Sequence, residues 1–429
     1  MITTITKRDG RSVPFNFEKV AKAIFKAAQA AGGNNYDEAL ELSYRVCDYI
    51  EETLMTKNPS VEQVQDAVEK VLVEAGHTKT AKKYILYRAE RTRVREMNSK
   101  LMRTFEDLTF KSSDEVEIKR ENANIDGDTA MGTMLRYGSE SSKQFYEMFV
   151  LDPDHANAHI RGDIHIHDLD FYTLTTTCAQ IDIVKLFKGG FCTGHGFLRE
   201  PNDIRSYSAL ACIAIQSNQN DQHGGQSIPN FDYGMAKGVA KTYTKLYRAN
   251  LAKALELICG AENSQEMAKE LMAEIDAKTG IVPKLLTENG YREAEREVLL
   301  KSYDKTLVEK VQKFTKKEAE NETDKTTYQA MEALIHNLNT MHSRAGAQIP
   351  FSSINYGTDV SPEGRMAVKN LLLAQQKGLG DGETPIFPIH IFKVKEGINY
   401  NKEDPNYDLF KLACKVSAKR LFPNFSFMD

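Results

Sequence analysis

The sequence predicts an α/β protein, with a small, mainly helical N-terminal domain and a larger domain of alternating strands and helices. Three observations support this prediction. Residues 1–97 combine a hairpin signal with four amphipathic helical segments. Residues 98–120 are polar and charged, as expected of a linker. Strand-like and helical segments alternate over 121–429, which favours a largely parallel sheet.

The N-terminal domain is predicted to contain a hairpin and four helices. Residues 2–6 and 11–15 flank Asp9-Gly10, a dipeptide favoured in tight hairpin turns because both positions tolerate positive φ. Ser60 and Gln63 form a capping box, which indicates the start of the third helix. Helices are expected from about Phe17 to Gly32, from Tyr36 to Leu54, from Ser60 to Gly76, and from about Thr80 onwards.

The larger domain changes in character along its length. Residues 121–234 contain short strand-like runs among many small and polar side chains. Residues 235–345 form a long helical stretch whose charges indicate solvated helix faces. Strand-like segments return at 349–356 and 385–392, with helices expected at 362–377 and 407–421.

The composition excludes several classes of protein. Hydrophobic residues make up 41% and charged residues 27%, as in soluble globular proteins. A net charge of -4 gives no reason to expect nucleic acid or an anionic membrane as partner. No apolar run approaches the roughly 20 residues that span a bilayer, and the first residues lack the features of a secretion signal. We therefore expect a cytoplasmic protein.

The cysteines do not predict a metal site or a disulfide framework. They are far apart, and no pair forms a CxxC. In a reducing compartment a lone cysteine is usually a small buried hydrophobic residue. The six are Cys47, Cys178, Cys192, Cys212, Cys259 and Cys414.

A first group of candidate functional residues lies in the predicted hairpin. Lys7 and Arg8 immediately precede the tight turn at Asp9-Gly10. Two interpretations are open for these cations. They are a solvated hairpin edge, where lysine also discourages aggregation, or they bind a triphosphate through charge-assisted hydrogen bonds.

The order of segments over residues 2–95 resembles the ATP cone, a regulatory domain of many ribonucleotide reductases. The resemblance rests on KRDG at 7–10, the capped helix that carries Val64-Gln65, and AKKYILYR at 81–88. It implies that ATP and dATP compete for the domain as allosteric effectors and that dATP turns the enzyme off. The effector-binding residues that it implies are Lys7, Arg8, Asp9, Gly10, Gln65, Lys82, Tyr84 and Arg88.

A second group of candidates lies in three segments after the linker. They are RENAN at 120–124, GDIHIHDLD at 162–170, followed by TTTC at 175–178, and NTMHSRAGAQIPF at 339–351. Alternation in the middle segment predicts a strand with Asp163, His165 and His167 on one face.

Two interpretations remain open for that predicted strand face. The histidines and Asp168, joined by His155 and His159, form a zinc or iron site, as in a metallohydrolase. Alternatively, they form hydrogen bonds inside a polar barrel and ligate no metal. We predict no metal, because His-x-His alone is a weak signal and the chain has no HExxH.

These segments, taken in order, resemble the catalytic domain of anaerobic ribonucleoside-triphosphate reductases. Further agreement comes from QHGGQSIPNFD at 222–232 and SSINYG at 352–357. The resemblance runs from about Arg120 to the end and implies a ten-stranded α/β barrel of the ribonucleotide reductase and pyruvate formate-lyase type.

The resemblance also implies radical chemistry. A glycyl radical near the C-terminus of these enzymes oxidises a loop cysteine to a thiyl radical, and a second cysteine on a barrel strand supplies hydrogen to the 2′ position of the ribose. Cys178 matches the strand cysteine and is the predicted catalytic residue. Predicted substrate contacts are Gly224, Gly225, Gln226, Ser343, Arg344 and Gln348, with Arg344 as the natural partner of an oxyanion.

Several family features are not found in this sequence. It has no loop cysteine in a Gly-Cys-Arg context, no glycyl-radical motif and no four-cysteine zinc site. We therefore expect a fragment or one half of a split enzyme, inactive alone, with an incomplete barrel. The glycyl radical and the structural zinc are expected in a C-terminal region.

The resemblance implies several partners and leaves alternatives open. The implied partners are ribonucleoside triphosphates, a radical-SAM activating enzyme, and either a second copy of the chain in a homodimer or a complementary C-terminal chain. The alternative functions are a non-catalytic nucleotide-sensing assembly module and a metal-dependent hydrolase centred on His165 and His167.

Overall fold

The structure is a computed structural model. It describes residues 2–8, 10–111, 129–173, 176–285, 290–344 and 347–429, and for 97–100 it describes the backbone alone. The chain divides into two compact units. Residues 1–110 and 140–166 form the first unit, and residues 111–139 and 167–429 form the second.

The first unit contains the predicted hairpin and four helices. An apolar core that includes Ile24, Val46, Val68 and Leu72 holds the helices together. The predicted capping box at the start of the third helix is confirmed, because Ser60 accepts from Gln63 N and Gln63 reaches back to Ser60 N. The elements are β1 Thr4–Thr6, β2 Ser12–Pro14, α1 Phe17–Ala30, α2 Tyr36–Thr53, α3 Val61–Glu74 and α4 Thr78–Phe110.

The fourth helix is longer than the sequence predicted. It continues through 98–110, which the sequence analysis assigned to a linker. A later stretch of chain also belongs to this unit, and Arg93 donates a 3.1 Å hydrogen bond to the carbonyl of Met148 in that stretch. After α5 (Ala130–Phe145), the stretch contains a π-helical turn, Tyr146–Val150, and α6 Pro153–Arg161.

The second unit is built on a five-stranded parallel sheet, which confirms the predicted α/β class. The strand order is β3-β6-β7-β8-β9, and each neighbouring pair is parallel. The strands are β3 Thr177–Gln180, β6 His223–Ile228, β7 Ser352–Tyr356, β8 Ile389–Val394 and β9 Asn424–Phe427, and a separate hairpin pairs β4 Phe191–Cys192 with β5 Phe197–Leu198.

Helices pack against the sheet around one apolar core. Ile228, Ile354 and Phe392 on the strands are fully buried, and they cluster with helical residues such as Met235 and Leu334. Burying a side chain of this size stabilises the fold by about 1.5–3 kcal/mol. The helices are α7 Ile183–Leu186, α8 Ile204–Asp221, α9 Phe231–Cys259, α10 Ser264–Thr279, α11 Tyr291–Leu299, α12 Lys305–Thr340, α13 Pro362–Lys377 and α14 Tyr407–Arg420.

The strand predicted at 162–170 is wrong. Gly162, with φ 80°, ends α6, and Asp168, with φ 51°, also has a left-handed backbone. Two left-handed positions interrupt an extended strand. His165 lies in irregular chain and His167 in a turn, and both are exposed, so they do not share a strand face.

A buried carboxyl group ties three helices of the second unit together. Oε2 of Glu295 on α11 accepts hydrogen bonds from Tyr247 Oη of α9 at 3.0 Å and from Gln312 Nε2 of α12 at 2.9 Å. Its Oε1 has no hydrogen-bond partner among the described residues. Burial raises the pKa of Glu295 from 4.5 to about 7, because a charged carboxylate is poorly solvated there.

Among the helices that the structure describes, none combines the length and apolar character needed to cross a membrane.

Candidate functional site

The predicted effector residues begin at the hairpin turn of the first unit. Lys7 N donates to Arg11 O at 2.8 Å, and Gly10 N donates to Lys7 O at 3.0 Å. Gly10 has φ 81°, the left-handed conformation that its place in the turn requires. Lys7 and Arg8 are therefore held at an exposed tight turn. Asp9 lies outside the described residues.

Arg8 is bound by side chains of α3. Arg8 Nε lies 2.5 Å from Glu62 Oε1, and its guanidinium donates to Gln65 Oε1 at 3.2 Å. The structure thus brings together two predicted residues, Arg8 and Gln65. Glu62, which also contacts Arg8, was not predicted from the sequence, because an acidic residue in the first turn of a helix is ordinarily explained by the helix dipole.

Arg88, another predicted effector residue, lies in the same cluster. It donates to Asp66, Glu69 and Glu62 at 2.5, 2.8 and 2.9 Å. Hydrogen bonds to these carboxylates raise its pKa against an opposing effect of burial. Counting Arg8, the cluster contains two arginines and three carboxylates. Arg88 is therefore already neutralised.

A basic cavity of about 300 Å³ lies between α1 and α4. The predicted residue Tyr84 lines it, and burial raises the pKa of this phenol to about 12. Lys82 is exposed and is not among the lining residues. The cavity lysines were not predicted, although Lys19, Lys22 and Lys26 are spaced to lie on one face of α1. The charged and aromatic lining residues are Lys19, Lys22, Lys26, Lys83, Tyr84 and Tyr87.

Cys178 in the second unit has an unusual backbone. It lies on β3 with φ 59°, and the register between β3 and β6 shifts between Thr177 and Ala179. Left-handed backbone is uncommon for a residue with a side chain, and bulges often redirect side chains next to active sites. The Cys178 side chain is exposed.

Gly224 on β6 lies against Cys178, where a larger residue would make close contacts. A Cβ atom at Gly224 would lie 3.0 Å from Cys178 N and 3.1 Å from its Sγ. Gly225 is also closely approached, since a Cβ there would lie 3.2 Å from Cδ1 of Phe351. Gln226 is buried, and its side-chain amide donates to Gly224 O at 3.2 Å. Three predicted substrate contacts therefore adjoin Cys178 or its strand.

Ser343 and Arg344, also predicted as substrate contacts, hold the end of α8. The Arg344 guanidinium donates to the carbonyls of Gln219 and Gln222, and Ser343 Oγ donates to Gln219 Oε1. The last carbonyls of a helix lack helical partners, so Arg344 satisfies groups that would otherwise be unpaired. Gln348 does not contact α8 through this bond, because its carbonyl accepts from Ser343 N at 2.9 Å.

A histidine–carboxylate pair lies at the start of β6. His223 Nε2 lies 3.1 Å from Asp168 Oδ1, and the imidazole ring stacks on Phe171 with 3.9 Å between ring centroids. His223 is the cross-strand neighbour of Thr177, next to Cys178. The described residues contain no group of three His, Cys, Asp or Glu side chains placed to hold a metal ion.

A second basic cavity, of about 670 Å³, lies beside α9 in the second unit. Lys241 in its wall lies 2.6 Å from Glu200, and Lys245 lies 3.5 Å from Asp203. Four of its charged residues lie on α9, and this cavity was not predicted because the charges of residues 235–345 were interpreted as solvated helix faces. The charged lining residues are Lys237, Lys241, Lys245, Arg248, Lys284 and Glu363.

Together, the two units define an α/β protein with an N-terminal, mainly helical unit. Comparison with known families agrees with this class. The family model described as anaerobic ribonucleoside-triphosphate reductase matches residues 121–429, and the one described as ATP cone domain matches residues 3–93. The chain belongs to the anaerobic ribonucleoside-triphosphate reductase family and carries an ATP cone.

Curated relatives agree with the family assignment. The anaerobic ribonucleoside-triphosphate reductase of Escherichia coli K12 is 26% identical over 428 residues, which are 99% of this chain and 51% of that protein. The enzyme of the same name from bacteriophage T4 is 28% identical over 270 residues, 62% of this chain and 35% of that protein. The chain spans about half the length of the curated relatives that match nearly all of it.

Part of the chain also matches a reductase of another kind, and solved reductase structures resemble the chain. The vitamin B12-dependent ribonucleoside-diphosphate reductase of Thermoplasma acidophilum is 39% identical over 113 residues, 25% of this chain and 14% of that protein. A crystal structure of the anaerobic ribonucleotide reductase from Thermotoga maritima in complex with dATP and CTP has a TM-score of 0.43 and 12% identity, over 78% of this chain and 49% of that chain.

Proposed function

We propose that this chain takes part in the anaerobic reduction of ribonucleoside triphosphates to deoxyribonucleoside triphosphates, under control by ATP and dATP. Membership of the reductase family supports the reaction, and the ATP cone supports the control. The observation that carries the proposal is the close approach of Gly224 to Cys178. Cys178 has a left-handed backbone and an exposed side chain, and it lies on the strand where the family resemblance expects the hydrogen donor.

Cys178 would act on the ribose of the substrate. In the reaction that the family resemblance implies, the 3′-hydrogen would be removed first and returned at the end. The 2′-hydroxyl would take up one proton and leave as water, and the Cys178 S–H would supply the hydrogen atom that replaces it at C2′. An external reductant would supply the two electrons and two protons consumed overall. The reductant is formate or a thioredoxin-like protein. Contact of the substrate with Gly225, Gln226, Ser343, Arg344 and Gln348 is part of the proposal, although the hydrogen bonds of Arg344 to α8 carbonyls support a structural role first.

Nucleotide binding by the first unit is the part of the proposal that is most directly testable. We expect ATP and dATP to bind with micromolar affinity, about -8 kcal/mol. Lys7→Ala combined with Arg8→Ala should weaken binding at least about tenfold, because each charge-assisted hydrogen bond contributes about 1.5–3 kcal/mol. Isothermal titration calorimetry of the full chain measures both quantities.

Two further variants complete the binding experiment. Lys22→Ala with Lys83→Ala removes two cations from the cavity between α1 and α4, and should weaken binding about threefold or more. Lys70→Ala is the matched control, since Lys70 packs over Tyr49 and is not among the cavity residues. Absence of any heat of ATP binding to the unaltered chain contradicts the sensor proposal.

The remaining family expectations belong to the same proposal. They are a radical-SAM activating enzyme, a second copy of the chain or a complementary C-terminal chain, and a glycyl radical and structural zinc supplied by a C-terminal region. We also propose a cytoplasmic location and domain bounds of 1–97, 98–120 and 121–429 along the sequence, with 98–110 continuing α4 and 140–166 packing in the first unit. The metal-dependent hydrolase gains no support from the exposed His165 and His167.

A further inference from the structure

We infer that Glu62 competes with the nucleotide phosphates for Arg8, and that it thereby sets the nucleotide affinity of the first unit. The inference rests on the proposed binding of ATP and dATP. Its starting point is the position of one carboxylate between two arginines. Oε1 lies 2.5 Å from Arg8 Nε, and Oε2 accepts from Arg88 at 2.9 Å.

The backbone fixes Glu62 in this position. Thr6 N donates to Pro59 O at 2.9 Å, and Thr6 forms a parallel bridge with Ser60, so the hairpin is attached to the start of α3. Ser60 then caps α3, which places Glu62 in the first turn of that helix. A carboxylate is favoured there by the helix dipole. The contact between Arg8 and Glu62 therefore follows from backbone geometry.

The contact is accessible to a ligand. The Arg8 side chain is 39% exposed and the Glu62 side chain 47% exposed. A phosphate group can reach the guanidinium from solvent and take over its donors, because phosphate and carboxylate oxygens accept in the same manner. An exposed ion pair is weak, so a polyanion can displace this one.

Glu62 remains paired with Arg88 when Arg8 binds the nucleotide. Arg88 is only 20% exposed and remains beside Asp66, Glu69 and Glu62. With Arg8 on the nucleotide, Arg88 alone faces three carboxylates. The excess negative charge close to the bound phosphates then opposes binding, and Glu62 is the member of the cluster that contacts Arg8 directly.

The test compares two variants with the same change of charge. Glu62→Gln should bind ATP about two- to fivefold more tightly than the unaltered chain in calorimetry. Glu69→Gln, which lies on the same helix and contacts Arg88 but not Arg8, should change the affinity by less than about 1.5-fold. Adenosine, which has no phosphate, should bind both variants alike.

Arg8→Ala completes the experiment by removing the group for which Glu62 competes. In that background Glu62→Gln and Glu69→Gln should have equal effects. Two results overturn the inference. One is a gain in ATP affinity that is specific to Glu62→Gln and persists without Arg8; the other is an equal change in ATP affinity in the two variants with Arg8 present. If the unaltered chain binds ATP, such a result leaves the proposed function standing. Absence of ATP binding overturns both, and far-UV circular dichroism verifies that each variant is folded.

Discussion

Replacing Gly224 with alanine is expected to destabilise the second unit by about 2–4 kcal/mol. Two effects add. Gly224 has φ 89°, where a residue with a Cβ is strained by about 1–2 kcal/mol. The new methyl group would also lie 3.0 Å from Cys178 N, a backbone atom that cannot rotate away. The strand that carries the predicted hydrogen donor must shift.

Hydrogen exchange measured by mass spectrometry on peptides from β3 and β6 reports this loss. Gly225→Ala is the matched control, because its Cβ would meet only the Phe351 side chain at 3.2 Å and Gly225 is not among the positive-φ glycines. We expect the control to cost less than half as much. Equal protection of β3 in the two variants would show that Gly224 does not position Cys178.

Replacing Glu295 with glutamine is expected to stabilise the second unit at alkaline pH. The folded pKa of about 7 lies above the ordinary 4.5, so burial favours the protonated carboxyl. Below about pH 4.5 the carboxyl is protonated in both the folded and the unfolded chain, so it does not lower the free energy of unfolding. That free energy falls as pH rises through about 7. The loss approaches about 3 kcal/mol at pH 8, at about 1.4 kcal/mol for each pH unit between the two pKa values.

Glutamine keeps an acceptor oxygen for Tyr247 and Gln312 and has no charge to bury. Urea unfolding, followed by hydrogen exchange in α11 and α12, should therefore give similar stabilities for the two proteins at pH 5. At pH 8 the variant should be more stable by up to about 3 kcal/mol. Glu297→Gln on the same helix is exposed and serves as control. A difference between variant and parent that does not change with pH would contradict the assignment.

Elements with strong local signals were predicted correctly from the sequence. The capping box at Ser60, the helix over 362–377 and the strand within 349–356 are all present. α8 was missed because residues around much of its circumference are buried, including Tyr207, Cys212 and Ile215, so it has no clear amphipathic pattern. Alternation at 162–170 suggested a strand, but two left-handed residues interrupt the segment.

The candidate site was predictable only in part. Cys178 and Arg8 were predicted through the family resemblance of the segments in which they lie, and both remain predictions. The partners of these residues come from distant positions in the sequence. Gly224 approaches Cys178 from the neighbouring strand β6, and Glu62 contacts Arg8 from α3. Such partners depend on tertiary packing, which has no local signal. Arg344 was expected to face an oxyanion, whereas its donors are taken by the end of α8.

The first unit is assembled from two separated stretches of chain, residues 1–110 and 140–166. This arrangement has a consequence for biosynthesis. Chains are made from the N-terminus and their domains fold as units. The hairpin and its four helices emerge early from the ribosome, yet the segment that contacts Arg93 is translated only later. The first unit therefore reaches its final form after the first residues of the second unit have already been made.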